Sequence, residues 1–143
     1  MFTVSCSAEI RRPPGEVFAI AGNYTNDPSW RKGVRALVYE TGGPPAVGTR
    51  TRETMRSMGR VAVTVAEVTA YSPSRTAFRS LSGPVACEGC REFVASPTGT
   101  TFTYSLTLRP AGFLRVLEPL LKAVFARQVQ ADVRRLKQRL EAA

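Results

Sequence analysis

Two cysteines separated by two residues, Cys87 and Cys90, stand in the stretch VACEGCREF. This C-x-x-C spacing is that of a redox-active dithiol and of one half of a zinc site. Cys6 brings the cysteines to three, an odd number that argues against a framework of disulfide bonds. The pair raises the question of whether these thiols are chemically active or lie passively in a strand.

The chain contains no histidine. This removes the commonest general base and the commonest metal ligand. No second C-x-x-C is present to complete a zinc site. Catalysis would have to use Asp, Glu, Tyr, Arg, Cys or bound water, and we expect neither a metal nor a cofactor.

The surroundings of the cysteine pair also argue against redox chemistry. A redox C-x-x-C needs its first cysteine at a helix N-terminus, where the helix dipole lowers the thiol pKa, whereas this pair falls inside a predicted strand. Residues i and i+3 of a strand point to opposite faces, so we expect Cys87 to face inward and Cys90 outward. The residues that share a face with Cys87 are Gly89, Arg91 and Phe93. Gly89 would leave room there for a ligand or a helix.

Seven segments of β-type sequence, bounded by Gly, Pro and Ser, predict seven strands. Their ranges are 3–10, 34–40, 49–58, 61–71, 76–82, 85–95 and 100–108. The connections after residue 34 are short, which favours an antiparallel meander. In the last strand Phe102, Tyr104, Leu106 and Leu108 alternate with Thr and Ser, so one face of it is apolar.

Helices are predicted in two places. Pro13 and Pro14 suit the start of a helix after the first strand, and NDPSW then forms a turn or a short second helix ending at Trp30. Near residue 118 a long amphipathic helix begins, because apolar residues recur there at steps of three and four. Such a helix must lay its apolar stripe across the sheet. A curled sheet would leave an internal space beneath it.

The segments in this order resemble the START/Bet v-like (SRPBCC) superfamily, specifically its polyketide cyclase/dehydrase and lipid-transport branch. The resemblance is carried by IRRPPGEVFAIAGN, DPSW, GGPPAVGTRTRET, TAYSPSRTAFRS and PLLKAVFARQVQADVRRLKQRLEA, and it covers nearly the whole chain. It implies the helix-grip fold of the α+β class. In that fold a seven-stranded curved antiparallel sheet wraps around a long C-terminal helix, with one or two short helices between strands 1 and 2. The superfamily includes aromatase/cyclases, carriers, hormone receptors and co-chaperones, so its fold leaves the activity open.

The same resemblance orients the third strand. It puts an apolar residue where Thr51 stands, so Thr51, Glu53 and Met55 would face inward. With strand parity elsewhere, this yields a set of candidate ligand-binding residues. They are Trp30, Thr51, Glu53, Met55, Phe78, Arg91, Phe93, Tyr104, Val124 and Phe125.

Four of these candidates would carry polar groups into an apolar interior. Glu53 and Arg91 have opposite charges, so they could form a structural ion pair or remain partly solvated. They could instead anchor a ligand carbonyl, phenol or carboxylate, with Tyr104 as a hydrogen-bond donor. Tyr104 could equally be a core tyrosine, and Trp30, near the cavity mouth, a packing lid.

The chain is strongly basic. It has 20 Lys and Arg against 11 Asp and Glu, a net charge of +9, and 17 of the 20 are Arg. The basic residues are spread along the whole chain, and interleaved exposed aromatics are not evident. We therefore expect no nucleic-acid partner, although a basic surface binding nucleic acid or protein remains a third hypothesis.

Its 143 residues suit one domain, 1–143. The N-terminal stretch has no signal-peptide pattern and no apolar run is long enough for a transmembrane segment, so we expect a cytoplasmic protein, monomeric or homodimeric. The leading hypothesis is a binding module for a hydrophobic or amphipathic small molecule, lipid- or polyketide-like, between sheet and terminal helix. The second is a polyketide cyclase/dehydratase-type enzyme that acts by positioning its substrate.

Overall fold

A single antiparallel sheet of seven strands forms the framework of this computed structural model, which describes residues 1–57 and 59–142. The strands are β1 (Phe2–Ile10), β2 (Val34–Tyr39), β3 (Arg50–Ser57), β4 (Arg60–Ser72), β5 (Arg75–Ser82), β6 (Ala86–Ser96) and β7 (Gly99–Arg109). Their order is β1-β7-β6-β5-β4-β3-β2. Strands β2 to β7 form the expected meander, and β1 pairs with β7 at the far edge. The predicted strand 49–58 ends at Met58, and the predicted domain 1–143 ends at Ala143. These two residues lie outside the described part of the chain.

Two α-helices and two 3₁₀-helices complete the chain. They are α1 (Pro14–Ala21), a first 3₁₀-helix (Tyr24–Ser29), a second 3₁₀-helix (Gly112–Arg115) and α2 (Glu118–Ala142). Proline fits the first turn of both α-helices because the missing N–H would have no helical partner there. The predicted fold is therefore confirmed: one sheet, short helices between β1 and β2, and a long C-terminal helix.

The inner face of β7 packs under α2. Phe102, Tyr104, Leu106 and Leu108 are buried as their alternation predicts. From the helix side, the apolar stripe supplies Leu121, Val129, Val133, Leu136 and Leu140. Outward hydroxyls on β1 and β7 pair across the strands, for example Thr3 with Thr107 at 2.8 Å, so the polar half of the alternation also stabilises the sheet.

No helix in the described ranges has both the length and the apolar character needed to span a lipid bilayer.

Candidate functional site

A cavity of about 650 Å³ lies between the inner face of the sheet and the N-terminal half of α2 with the second 3₁₀-helix. Its size is within the usual range for pockets that hold small organic ligands. Most of its walls are apolar. The apolar lining includes Leu37, Met55, Ala62, Ala66, Phe78, Val85, Leu106, Leu108, Leu114, Leu121 and Phe125.

Most of the polar side chains of the cavity gather where the first 3₁₀-helix meets the sheet, and Arg60 at the start of β4 is an exception. This helix begins at Asn23, whose side chain accepts a hydrogen bond from the Thr25 N–H at 3.2 Å. It carries Asp27 inward, and the carboxylate is completely buried. The backbone N–H of Arg31 donates to the Asp27 carbonyl at 2.8 Å, which places both side chains at the same end of the cavity.

Asp27 accepts a two-pronged hydrogen bond from Arg91 on β6. Arg91 Nη1 is 2.9 Å from Asp27 Oδ1, and Nη2 is 2.6 Å from Oδ2. Nη1 also donates to the carbonyl of Ala21 at the end of α1, at 2.9 Å. A planar guanidinium matches a carboxylate in this geometry, so the pair fixes α1 and the 3₁₀-helix onto the sheet.

Arg31 extends this pair into a chain of four charges. Its Nη1 donates to Asp27 Oδ2 at 3.0 Å and to Glu53 Oε2 at 2.7 Å. The order is therefore Arg91–Asp27–Arg31–Glu53, with alternating sign. Of the alternatives that the sequence left open, a direct ion pair between Glu53 and Arg91 does not form, because each of these residues is paired with a different partner.

Sequence reasoning missed Asp27 and Arg31. It treated NDPSW as a turn or short helix that ends in a tryptophan lid. The four-residue spacing of an acid and an arginine in NDPSWR was the available indication, since residues so spaced are neighbours on a helix.

Aromatic rings surround the Arg91 guanidinium. Its central carbon lies 4.5 Å from the ring centre of Tyr24, 4.9 Å from Trp30 and 5.1 Å from Tyr104. These are distances at which a cation is attracted to the face of a ring. Trp30 is fully buried here rather than near the cavity mouth, and its ring packs edge-on against Phe102 and Tyr104. The predicted tryptophan lid is therefore corrected to a part of the core.

Burial and charge act in opposite directions on the two arginines. Burial by itself would lower the pKa of Arg91, but the Asp27 carboxylate outweighs it and the pKa is raised. Burial likewise works to lower the pKa of Arg31, and Glu53 leads the interactions that raise it well above its ordinary value. Burial raises the pKa of the Tyr104 hydroxyl. The site therefore combines permanent cations with a neutral phenol.

The ten predicted site residues divide into two groups. Six line the cavity: Thr51, Glu53, Met55, Phe78, Arg91 and Phe125. The other four, Trp30, Phe93, Tyr104 and Val124, lie outside its lining. Trp30 and Tyr104 contact the Arg91 guanidinium, and Phe93 packs between Phe18 and Phe102. A role in ligand binding for any of the ten stays a prediction.

The C-x-x-C pair is split as its strand parity predicts. Cys87 lines the cavity, whereas Cys90 lies outside the lining, and both thiols are free, as is Cys6. Burial raises the pKa of the Cys87 thiol, the opposite of what a reactive cysteine needs. Among the residues that the structure describes, no group of three or more His, Cys, Asp or Glu side chains is arranged to hold a metal ion.

The space above Gly89 is filled from within the chain. A Cβ placed on Gly89 would lie 2.6 Å from Cε1 of the Phe78 ring. The expectation that this glycine leaves room for a ligand or for the helix is therefore corrected: it lets the Phe78 ring approach the backbone of β6 closely and form part of the cavity wall.

A protein-family model described as polyketide cyclase / dehydrase and lipid transport matches residues 1–141. Comparison with curated proteins gives no significant match.

Solved structures share the fold over almost the whole chain. TTHA0849 from Thermus thermophilus is 23% identical, with a TM-score of 0.84 over 99% of this chain and 98% of that one. The Zhui aromatase/cyclase from Streptomyces sp. R1128 is 16% identical, with a TM-score of 0.80 over 98% and 93%. The di-domain ARO/CYC BexL from the BE-7585A biosynthetic pathway is 16% identical, with a TM-score of 0.79 over 99% of this chain and 50% of that one.

Proposed function

The chain belongs to the polyketide cyclase/dehydrase and lipid transport family, and from this premise we propose that it encloses a hydrophobic or amphipathic small molecule, lipid- or polyketide-like. The observation that carries the proposal is the cavity of about 650 Å³, which has apolar walls and one polar end. Apolar walls bind by removing ligand surface from water, while a few polar groups orient the molecule.

The charged side chains at the polar end of the cavity are held in place by their own ion pairs and ring contacts. Its two arginines each pair with a carboxylate of opposite sign, and Arg91 is enclosed by three aromatic rings. Groups held in place before binding lose little freedom when a ligand arrives, which favours affinity. This supports a site for binding rather than a packing defect of the core.

Binding of a neutral fluorescent dye tests the proposal. Nile red should bind the purified protein with one saturable site and gain fluorescence, because it leaves water for an apolar cavity. Native mass spectrometry of gently purified protein should show a one-to-one complex with the dye. Failure of the dye to bind in both measurements would contradict the proposal.

A second candidate function is a cyclase that folds a polyketide-like chain and promotes its condensation. It is favoured by the fold shared with Zhui and BexL, whose names describe aromatase/cyclase activity, and by Glu53 and Arg31 inside the cavity. Positioning alone can supply much of such a barrier. A poly-β-ketone substrate should then yield a cyclised product faster with the protein than without it, and Glu53→Gln should slow that step. Equal rates with and without protein would remove this candidate.

A reducing compartment such as the cytoplasm is proposed as the setting. It is supported by three free cysteines, one of which lines the cavity. Fractionation of the source cells with an antibody tests it, and recovery outside the cytoplasmic fraction would contradict it.

A further inference from the structure

The polar end of the cavity retains hydrogen-bonding capacity that the chain itself does not use. Arg31 lines the cavity and uses Nη1 for both of its ion pairs. Its Nε is buried without a hydrogen-bond partner among the described residues. Its Nη2 likewise makes no hydrogen bond to the described residues, but unlike Nε it is not fully buried. A guanidinium whose side chain is only 9% exposed therefore keeps an accessible donor.

Glu53 supplies an acceptor beside this donor. Its Oε2 accepts from Arg31 Nη1 at 2.7 Å, and this is the only side-chain hydrogen bond of the carboxylate within the described part of the chain. The side chain lines the cavity and is 18% exposed. Oε1 thus has lone pairs to offer, and a cationic donor and an anionic acceptor stand side by side at the end of an apolar space.

The charges around this position already balance. The cations are Arg31, Arg91 and Arg135, and the anions are Asp27, Glu53 and Asp132, linked in pairs at distances of 2.6 to 3.2 Å. A ligand carboxylate beside Glu53 would add a fourth anion to this cluster with no fourth cation in it, in a position where desolvation is costly. Arg60 also lines the cavity, but it lies at the start of β4, four residues along the strand from Thr64, the residue opposite Glu53, and so about 13 Å away. An uncharged hydroxyl would add no charge. It would accept one hydrogen bond and donate another.

We propose that the cavity selects ligands whose buried end is an uncharged hydroxyl, a phenol or an alcohol, and disfavours carboxylates. Arg31 Nη2–H donates to the hydroxyl oxygen, and the hydroxyl hydrogen is donated to Glu53 Oε1. This inference rests on the proposed function, because it describes the ligand of the same cavity. The sequence left three kinds of ligand group open: a carbonyl, a phenol and a carboxylate. The proposal narrows this choice to an uncharged hydroxyl.

Displacement of Nile red by three matched compounds tests the selection: naphthalene, 1-naphthol and 1-naphthoate at neutral pH. With the wild-type protein 1-naphthol should displace the dye at about one tenth of the concentration needed for naphthalene, because two hydrogen bonds to charged partners are gained. Naphthoate should be weaker than naphthol by at least about tenfold.

Glu53→Gln is the deciding variant, since it keeps the size of the side chain and an acceptor oxygen while removing one negative charge. The preference for naphthol over naphthoate should fall by about tenfold or invert. Glu67→Gln removes a charge of the same type from an exposed pair with Arg79 outside the cavity lining, and should leave the preference unchanged.

Two results would overturn the selection while leaving the proposed function intact. One is naphthoate binding as tightly as naphthol to the wild-type protein. The other is an unchanged preference in Glu53→Gln. If Nile red itself fails to bind, the proposed function fails and this inference falls with it.

Discussion

Asp27 and Arg91 are 64 residues apart in sequence and form a fully buried ion pair, with oxygen and nitrogen atoms 2.6 and 2.9 Å apart. Asp27 comes from the first 3₁₀-helix and Arg91 from β6, so the pair joins the helical segment to the middle of the sheet. Taking two charges out of water is costly, and a close two-pronged geometry offsets that cost. The pair thereby fixes the end of the cavity at which Arg31 and Glu53 lie.

Loss of the guanidinium from this pair should be strongly destabilising. Arg91→Met leaves the Asp27 carboxylate buried and short of its main partner, and we expect a loss of about 3–5 kcal/mol of unfolding free energy. Urea denaturation followed by circular dichroism measures it. Arg79→Met is the control, because its pair with Glu67 is exposed and should contribute at most about 1 kcal/mol. Equal losses in the two variants would contradict the prediction.

Periodicity was sufficient to find the buried faces of two elements, β7 and α2. The alternation in β7 and the three- and four-residue steps in α2 each identify one buried face, because side-chain direction follows directly from backbone geometry. In β3 the alternation alone left the inward face undecided, and the family resemblance assigned it to Thr51, Glu53 and Met55, which line the cavity.

Parity specifies a face of the sheet but not a depth below its surface. Phe93 and Tyr104 lie on the predicted inward face, yet Phe93 packs against Phe18 and Phe102 and the Arg91 guanidinium lies against Tyr104, so neither residue lines the cavity. The sequence also could not predict Asp27 as the partner of Arg91, because this pairing depends on how a 3₁₀-helix packs onto a strand that is distant in the sequence. Local patterns do not encode that packing, and for this reason the sequence suggested Glu53 as a possible partner of Arg91 and did not suggest Asp27.

The tyrosines should make the protein sensitive to alkali. Burial raises the pKa of Tyr24, Tyr71 and Tyr104, and raises that of Tyr39 to about 12. These are all four tyrosines of the chain. Above the unfolded pKa of about 10, the unfolded chain releases phenolic protons that the folded state retains. Stability should therefore fall as pH rises from about 10 toward 12.

Ultraviolet absorbance of tyrosinate, measured as pH is raised, shows directly how far the tyrosine hydroxyls have lost their protons. The folded protein should show little tyrosinate at pH values where the same protein in guanidinium chloride is already half ionised. A folded-state titration that coincides with the denatured one would show that the hydroxyls are accessible and would contradict the burial of these side chains.

The thiol of Cys87 should report on occupancy of the cavity. It lines the cavity and burial raises its pKa, so a Cys6→Ser/Cys90→Ser protein should react slowly with a thiol reagent. With 1-naphthol at ten times its Kd the rate should fall by about tenfold, because only the ligand-free fraction reacts. The matched control is Cys6→Ser/Cys87→Ser. Its remaining Cys90 lies outside the lining and should react at the same rate with and without ligand. Protection of both thiols would indicate a general stiffening of the fold instead.

Ala62 and Val63 are neighbours on β4 whose side chains point to opposite faces of the sheet, so they offer a matched pair of variants for locating the binding site. Ala62 lines the cavity, whereas Val63 points to the other face and is 40% exposed. Ala62→Trp should place an indole in the empty space and weaken Nile red binding by more than about tenfold. Its cost in stability should stay within about 1 kcal/mol, since the added ring enters existing space rather than a packed core.

Val63→Trp adds an indole at the next position of the same strand but on the outer face. It should bind Nile red like the wild-type protein, and both variants should unfold cooperatively in urea. If both variants bound the dye equally well, the dye would be bound elsewhere and not between sheet and helix. If both lost binding, the effect would come from disturbance of β4 and not from filling of the cavity. Only loss in Ala62→Trp alone assigns the binding site to the space under α2.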